Sequence, residues 1–296
     1  MPRLTTDATK RNLLRRVRRQ RLKYITILPS LITVLNGLCG FTAVVFASEG
    51  AKAGLGHFSY FSLAGYMVLL AMIADTLDGR LARISKSTSS FGGQLDSLCD
   101  IVSFGVAPAF LMLKVLEHKL AGFVVLNRVT DDFLQRFIWL AAAAYVSCAA
   151  IRLARFNVEN EEDESSHMSF IGLPTPAAAG VIVSVVIFHQ KGFPGFDGIV
   201  YALPFLSLWL AVMMVSKLRY PHIVNQYIRG RKPFGYLIRA LLLGGLIFWQ
   251  TEPALVLIFC TFAGSSFVKW LYYRVIRRRE AHEILLGRMA NLEPEK

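Results

Sequence analysis

Apolar residues recur along this chain in windows of about 20, the length that a helix needs to cross the hydrocarbon of a bilayer. The windows fall near 27–47, 58–76, 95–115, 137–154, 173–190, 199–215, 236–248 and 254–272. They are nearly continuous rather than alternating, and most exceed the length of a strand. The pattern predicts an all-α fold, a polytopic integral membrane helix bundle of about eight transmembrane helices. The seventh window is the shortest. If it is re-entrant, or merges with the eighth, the count falls and the C-terminus changes side.

Charge tests this count, because cytoplasmic loops carry an excess of Lys and Arg. The first 26 residues hold Lys10, Arg11, Arg15, Arg16, Arg18, Arg19, Arg21 and Lys23, and the second connection holds Arg80, Arg83 and Lys86. Lys217, Arg219, Arg229, Arg231 and Lys232 fill the sixth connection, and Arg274, Arg277, Arg278 and Arg279 open the tail. All lie on one side under an eight-span count, with the opposite connections short and weakly charged. Both termini are therefore expected in the cytoplasm. The net charge of +13 is mostly this topology signal. Its spread over membrane-flanking loops argues against nucleic acid as a partner.

A hydrophobic fraction of 54% and a mean hydropathy of +0.46 exclude an ordinary soluble domain. Four segments are expected: a basic juxtamembrane stretch over 1–26, a membrane core over 27–216, a C-terminal pair of spans with its basic connection over 217–273, and a cytoplasmic tail over 274–296. Leu13, Leu14 and Val17 lie at helical spacing within the basic stretch. An N-terminal amphipathic interfacial helix on anionic membrane lipid fits them, as does a solvated tail. The first apolar window is too long for a signal peptide, whose apolar region spans about 7–15 residues. Cys39, Cys99, Cys148 and Cys260 form no C-x-x-C pair, and the six histidines show no ligand spacing.

The informative feature lies between residues 75 and 100. The chain reads D-T-L-D-G-R-L-A-R, eight residues, then G-G-Q-L-D-S-L-C-D. Asp75 and Asp78 are three apart, and Asp96 and Asp100 four apart, so each pair shares a helix face. An acid in a membrane helix costs roughly 2.5–3.5 kcal/mol on insertion scales, which marks it as a functional candidate. Two such helix ends facing each other make an oxygen-lined cage of the kind Mg²⁺ or Mn²⁺ favours. Gly79 leaves room for a bulky ligand at the backbone. Arg83 adds a planar cation suited to a phosphate or diphosphate.

Asp75, Asp78, Gly79, Ala82, Arg83, Gly92, Asp96 and Asp100 together match the signature D-x2-D-G-x2-A-R-x8-G-x3-D-x3-D, and in this the chain resembles the CDP-alcohol phosphotransferases. The resemblance implies two divalent cations, with Asp75, Asp78 and Asp96 as ligands, Asp100 sharing one ion, and Asp100 as the base. It implies that Gly79 and Arg83 bind the CDP moiety, that Ser89 contacts phosphate, and, more loosely, that Ser30 to Thr33 line the nucleotide site. Helix capping and ordinary membrane threonine explain Ser30 and Thr33 equally well. A homodimer is also implied, while the Lys and Arg asymmetry places the acids at the cytoplasmic face of the inner (cytoplasmic) membrane.

The acceptor is read from three further segments: Ser103–Pro108 after the last aspartate, Arg152 to Asn157, and Gly172 to Pro176. Together they resemble the membrane-embedded bacterial and archaeal phosphatidylserine synthases, which implies CDP-diacylglycerol and L-serine as substrates. Arg152 and Arg155 share a helix face and could hold the carboxylate of serine. They would serve equally as snorkelling anchors. Two alternatives stay open: a relative that uses glycerol 3-phosphate, an inositol phosphate or choline as acceptor, and a cation transporter, since intramembrane carboxylates also mark ion paths.

The charge asymmetry makes a prediction. Single cysteines at Gln20 and Glu293, in a chain lacking its own four, should resist an impermeant thiol reagent in intact cells and react after lysis. Labelling of either end from outside would break the eight-span arrangement.

Overall fold

A computed structural model describes residues 30–50, 52, 54, 58–85, 90–121, 128–162, 169–191, 195, 197–216, 218–221 and 250–290. The basic stretch over 1–26 and the window at 236–248 lie outside the described residues. Eight α-helices are described. They are α1 (Ser30–Ser48), α2 (Tyr60–Ser85), α3 (Ser90–Asp100), α4 (Ala107–Ala121), α5 (Arg128–Glu162), α6 (Thr175–Lys191), α7 (Gly198–Val215) and α8 (Thr251–Ala290). Six helical stretches are long and apolar enough to cross a membrane: Ser30–Ser48, Tyr60–Leu81, Phe91–Ala121, Asp132–Val158, Gly198–Val215 and Thr251–Tyr272. The 17-residue α6 is also near spanning length and is buried along most of it. The architecture is thus an all-α polytopic bundle, with seven spanning-type elements described.

The helices are longer than their apolar windows. α2 continues to Ser85 and α8 to Ala290, because a helix that leaves hydrocarbon needs no further apolar residues to keep its backbone bonds. Asp75 and Asp78 therefore sit inside a helix rather than at its end. The same holds for the tail, which continues helically from the last span.

The first two helices sort their residues by size. On α1, Leu31, Val34, Leu35, Leu38, Phe41 and Val45 are exposed, while Thr33, Asn36, Cys39, Ala43 and Ala47 are buried. On α2, Ala64, Val68, Ala71 and Asp78 form a buried stripe, opposite exposed Leu70, Ile73 and Leu77. Large apolar residues face outward and small ones inward, since close packing rather than burial from water joins helices in lipid. α6 is the centre. It touches α2, α4, α5, α7 and α8, and a Cβ added at its Gly180 would collide with the Phe259 ring of α8.

Between α3 and α4 the helix widens into a π-helical turn over Ile101–Val106, with Ala107 N–H donating to Val102 O. Pro108 is one cause. It has no N–H to give to the Phe104 carbonyl four residues earlier. The buried Tyr145 hydroxyl of α5 supplies that donor at 3.1 Å. At the opposite face α1 comes very close: a Cβ on Gly40 would lie 2.6 Å from Ser103 Cα and 2.9 Å from Ser103 N. Ser103 Oγ donates to Asn36 O at 2.8 Å, fastening α1 to the widened turn.

Short strands close one end of the bundle. β1 (Ser169–Ile171) and β2 (Arg219–Pro221) pair antiparallel, just before α6 and just after α7. Gly172 follows with φ 82°, its N–H donating to Leu218 O at 2.8 Å. A side chain there would be strained and would strike the Met214 carbonyl. At the other end Lys119 Nζ and His189 Nε2 meet Asp197 Oδ1 at 2.6 and 3.0 Å, tying α4, α6 and the start of α7 together. The hydrogen bonds from Lys119 and His189 hold the Asp197 carboxyl below its usual range, so on the acid side this tie persists until pH falls through that lowered value.

Gly40 should be the most sensitive glycine of the first helix. Gly40→Ala forces α1 away from a backbone rather than from a movable side chain, at a cost of about 1–3 kcal/mol. The expected result is a lower unfolding temperature of the purified protein in detergent, read by scanning fluorimetry. An unchanged temperature would mean that the crossing is looser than described.

Candidate metal centre and substrate site

The acid motif spans α2 and α3, and the buried stripe of α2 carries its half into the bundle. Ala64, Val68, Ala71, Asp75 and Asp78 follow at steps of four, three, four and three, which keeps one face inward. On α3, Asp96 and Asp100 are one turn apart, and the π-helical turn begins at the next residue. One carboxylate oxygen from each of Asp75, Asp78 and Asp96 lies within 4.8 Å of the other two. Asp100 interacts electrostatically with all three. Asp78 and Asp100 are only 4% and 8% exposed.

Helix α1 supplies hydrogen bonds to both halves. The Thr33 hydroxyl bonds to Asp78 on α2. One turn further, Asn36 Nδ2 donates to Asp100 Oδ1 at 2.9 Å. These bonds do not exhaust the carboxylates. Asp78 Oδ2 and Asp96 Oδ1 are buried with no hydrogen-bond partner, and none of the ion pairs among the described side chains involves any of the four acids.

Such a set fits a divalent cation. Ionised carboxylates only accept, so buried ones without donors need positive charge. An octahedral ion with ligands at about 2.1 Å places its own ligand oxygens at most about 4.2 Å apart, so a spacing within 4.8 Å needs little contraction. The hard all-oxygen donors favour Mg²⁺ or Mn²⁺ over softer metals.

The remaining residues singled out from the sequence fall as follows. Gly79 is next to Asp78, and a Cβ there would meet nothing within 4 Å, so no protein packing requires glycine at this position. Arg83 lies on α2, with its side chain outside what is described, and Ser89 lies outside the described residues. Ser30 is the first residue of α1. Arg152 is 7% exposed, its guanidinium 6.0 Å from the centre of the Phe156 ring, and Arg155 is half-buried. Two contacts fix the register of α5 against the acid-bearing helix. Tyr145 meets Phe104, and Asn157 Nδ2 donates to Ser97 Oγ at 2.8 Å. Arg152 lies between those ties on α5, and Asp100 lies between them on the partner helix.

Sequence reasoning passed over Asn36, Tyr145 and the Ser97–Asn157 pair. Asn36 was findable, because a carboxamide inside an apolar window, three residues after a threonine, is expensive there unless partnered. The other two emerge only once α5 is seen beside α3.

A bundle of membrane-spanning helices that gathers four carboxylates inside it defines an integral membrane protein with an acidic centre. Residues 26–216 match the CDP-alcohol phosphatidyltransferase family, and the chain belongs to that family. Similar proteins include one from Helicobacter pylori, 31% identical over 252 residues, covering 84% of this chain and 93% of that relative. One from Methanocaldococcus jannaschii is 32% identical over 204 residues, 69% of this chain and 78% of the relative. One from Saccharomyces cerevisiae is 34% identical over 177 residues, 58% of this chain and 57% of the relative. Each of the three is named CDP-diacylglycerol–serine O-phosphatidyltransferase.

Gly79→Ala separates packing from ligand approach. With open space around the added Cβ and alanine favoured over glycine inside a helix, the substitution should not lower the unfolding temperature and should raise the KM for the CDP-linked donor by about 10-fold or more. A normal KM would remove the ligand-approach reading of this glycine.

Proposed function

We propose that this chain transfers the phosphatidyl group of CDP-diacylglycerol to L-serine, giving phosphatidylserine and CMP. The observation that carries the reading is the convergence of Asp75, Asp78 and Asp96 beside Asp100, in a chain whose bacterial, archaeal and yeast relatives bear the name of that reaction. Asp75, Asp78 and Asp96 would hold two divalent cations, Mg²⁺ or Mn²⁺, with Asp100 sharing one. Bound there, the ions would neutralise charge on the diphosphate of the donor.

The chain's own residues do the rest. Gly79, Arg83 and Ser89 receive the CDP moiety, with Ser30 and Thr33 at its edge. Arg152 and Arg155 hold the serine carboxylate, the planar guanidinium matching it with two parallel bonds. Asp100 takes the proton of the serine hydroxyl. The hydroxyl oxygen bonds to the lipid-linked phosphorus, the bond from that phosphorus to the bridging oxygen breaks, and CMP leaves with the electron pair. The site works at the cytoplasmic face, where an apolar tail and a phosphorylated head can be held together.

Purified protein with CDP-diacylglycerol and Mg²⁺ or Mn²⁺ should release CMP only when L-serine is added, with phosphatidylserine as the lipid product. Turnover with glycerol 3-phosphate or an inositol phosphate, and none with serine, would overturn the acceptor and leave the reaction class standing. In the same assay Asp100→Asn should lower kcat by roughly 10²–10⁴, the usual worth of a general base. Full recovery in excess metal would reduce Asp100 to a ligand.

A further inference from the structure

Asn36 is wholly buried, and its two amide branches have different fates. Nδ2 donates to Asp100 Oδ1 at 2.9 Å, while Oδ1 is buried with no partner. The orientation is set by chemistry, since turning the amide over would bring two acceptors face to face. The backbone is fixed as well. Ser103 Oγ donates to the Asn36 carbonyl, and Gly37 and Gly40 on the same helix pack against Cys99 and Ser103. Asn36 therefore holds an unpartnered acceptor beside the carboxylate that it grips, in a place where leaving an acceptor unsatisfied is costly.

We propose that Asn36 reads the ammonium group of the acceptor, with Oδ1 accepting one N–H while Nδ2 holds Asp100 in place to take the hydroxyl proton. Serine carries its ammonium and hydroxyl on adjacent carbons, a spacing that matches two acceptors kept side by side by a single hydrogen bond. The ammonium has three N–H donors and remains charged throughout, which makes it the strongest donor that can enter beside Asp100. Asn36 is thus a specificity residue as well as a positioning residue. The inference rests on serine as acceptor and on Asp100 as base.

The test compares L-serine with 3-hydroxypropanoate, which keeps the hydroxyl and carboxylate and lacks the ammonium. The full-length protein in detergent, with CDP-diacylglycerol and Mn²⁺, is assayed with each compound as substrate, or with the analogue as competitive inhibitor. Wild type should favour serine. Asn36→Ala should lose about 10–100-fold of apparent serine affinity, leave the affinity for 3-hydroxypropanoate within a few-fold, and so collapse the preference. Asn36→Asp, which keeps an acceptor oxygen, should retain the preference even where kcat falls. Equal losses for both compounds in Asn36→Ala, or a rise in the KM of CDP-diacylglycerol alone, would overturn the assignment. Near-normal kcat in Asp100→Asn sinks the base reading without touching the preference ratio. Absence of serine turnover in wild type sinks the acceptor reading itself.

Discussion

Four carboxylates drawn together inside an apolar bundle impose a demand that much of the surrounding structure answers. Each acid at membrane depth costs roughly 2.5–3.5 kcal/mol on insertion scales, and the mutual repulsion of neighbours adds to it. Hydrogen bonds from Thr33 and Asn36 meet part of the cost, one on each acid-bearing helix. Asp78 Oδ2 and Asp96 Oδ1 still lack hydrogen-bond partners, a remainder of the kind that a divalent cation would meet. The first helix is accordingly two-faced in an unusual sense: large and apolar toward lipid, small or carboxamide-bearing toward the acids.

The widened turn after Asp100 shows how backbone defects are absorbed in such a setting. Pro108 withholds a donor, the helix opens by one residue, and Tyr145 reaches across to the freed Phe104 carbonyl. Ser103 binds the carbonyl of the residue that grips Asp100. One local irregularity thereby links α1, α3, α4 and α5 next to the candidate base. π-type turns recur at functional sites, and here the reason is visible in the contacts.

The two ends of the bundle are built differently. At the end that carries Arg152, Asn157 and the extensions of α2, the chain uses backbone pairing, with β1 on β2 and Gly172 folded tightly against the end of α7. At the far end, charged side chains join three helices through Asp197. Central α6 spans between them, buried along most of its length, so that the candidate site rests on helices held at both ends.

Much of this was legible in the chain alone. The apolar windows determined an all-α membrane bundle because hydrocarbon tolerates few other ways of satisfying a backbone. The spacing of Asp75, Asp78, Asp96 and Asp100 determined two same-face pairs because the helical period allows no other arrangement. Helix ends were not legible, since a helix can continue past hydrocarbon without any apolar signal, as α2 and α8 do. Only the tertiary structure decided which donors meet which acids. Asn36 and Asp100 are 64 residues apart, and Tyr145 and Phe104 are 41 apart. Such pairings depend on how closely helices cross, at Gly40 above all, and crossing distance is a property of two surfaces that neither segment carries by itself.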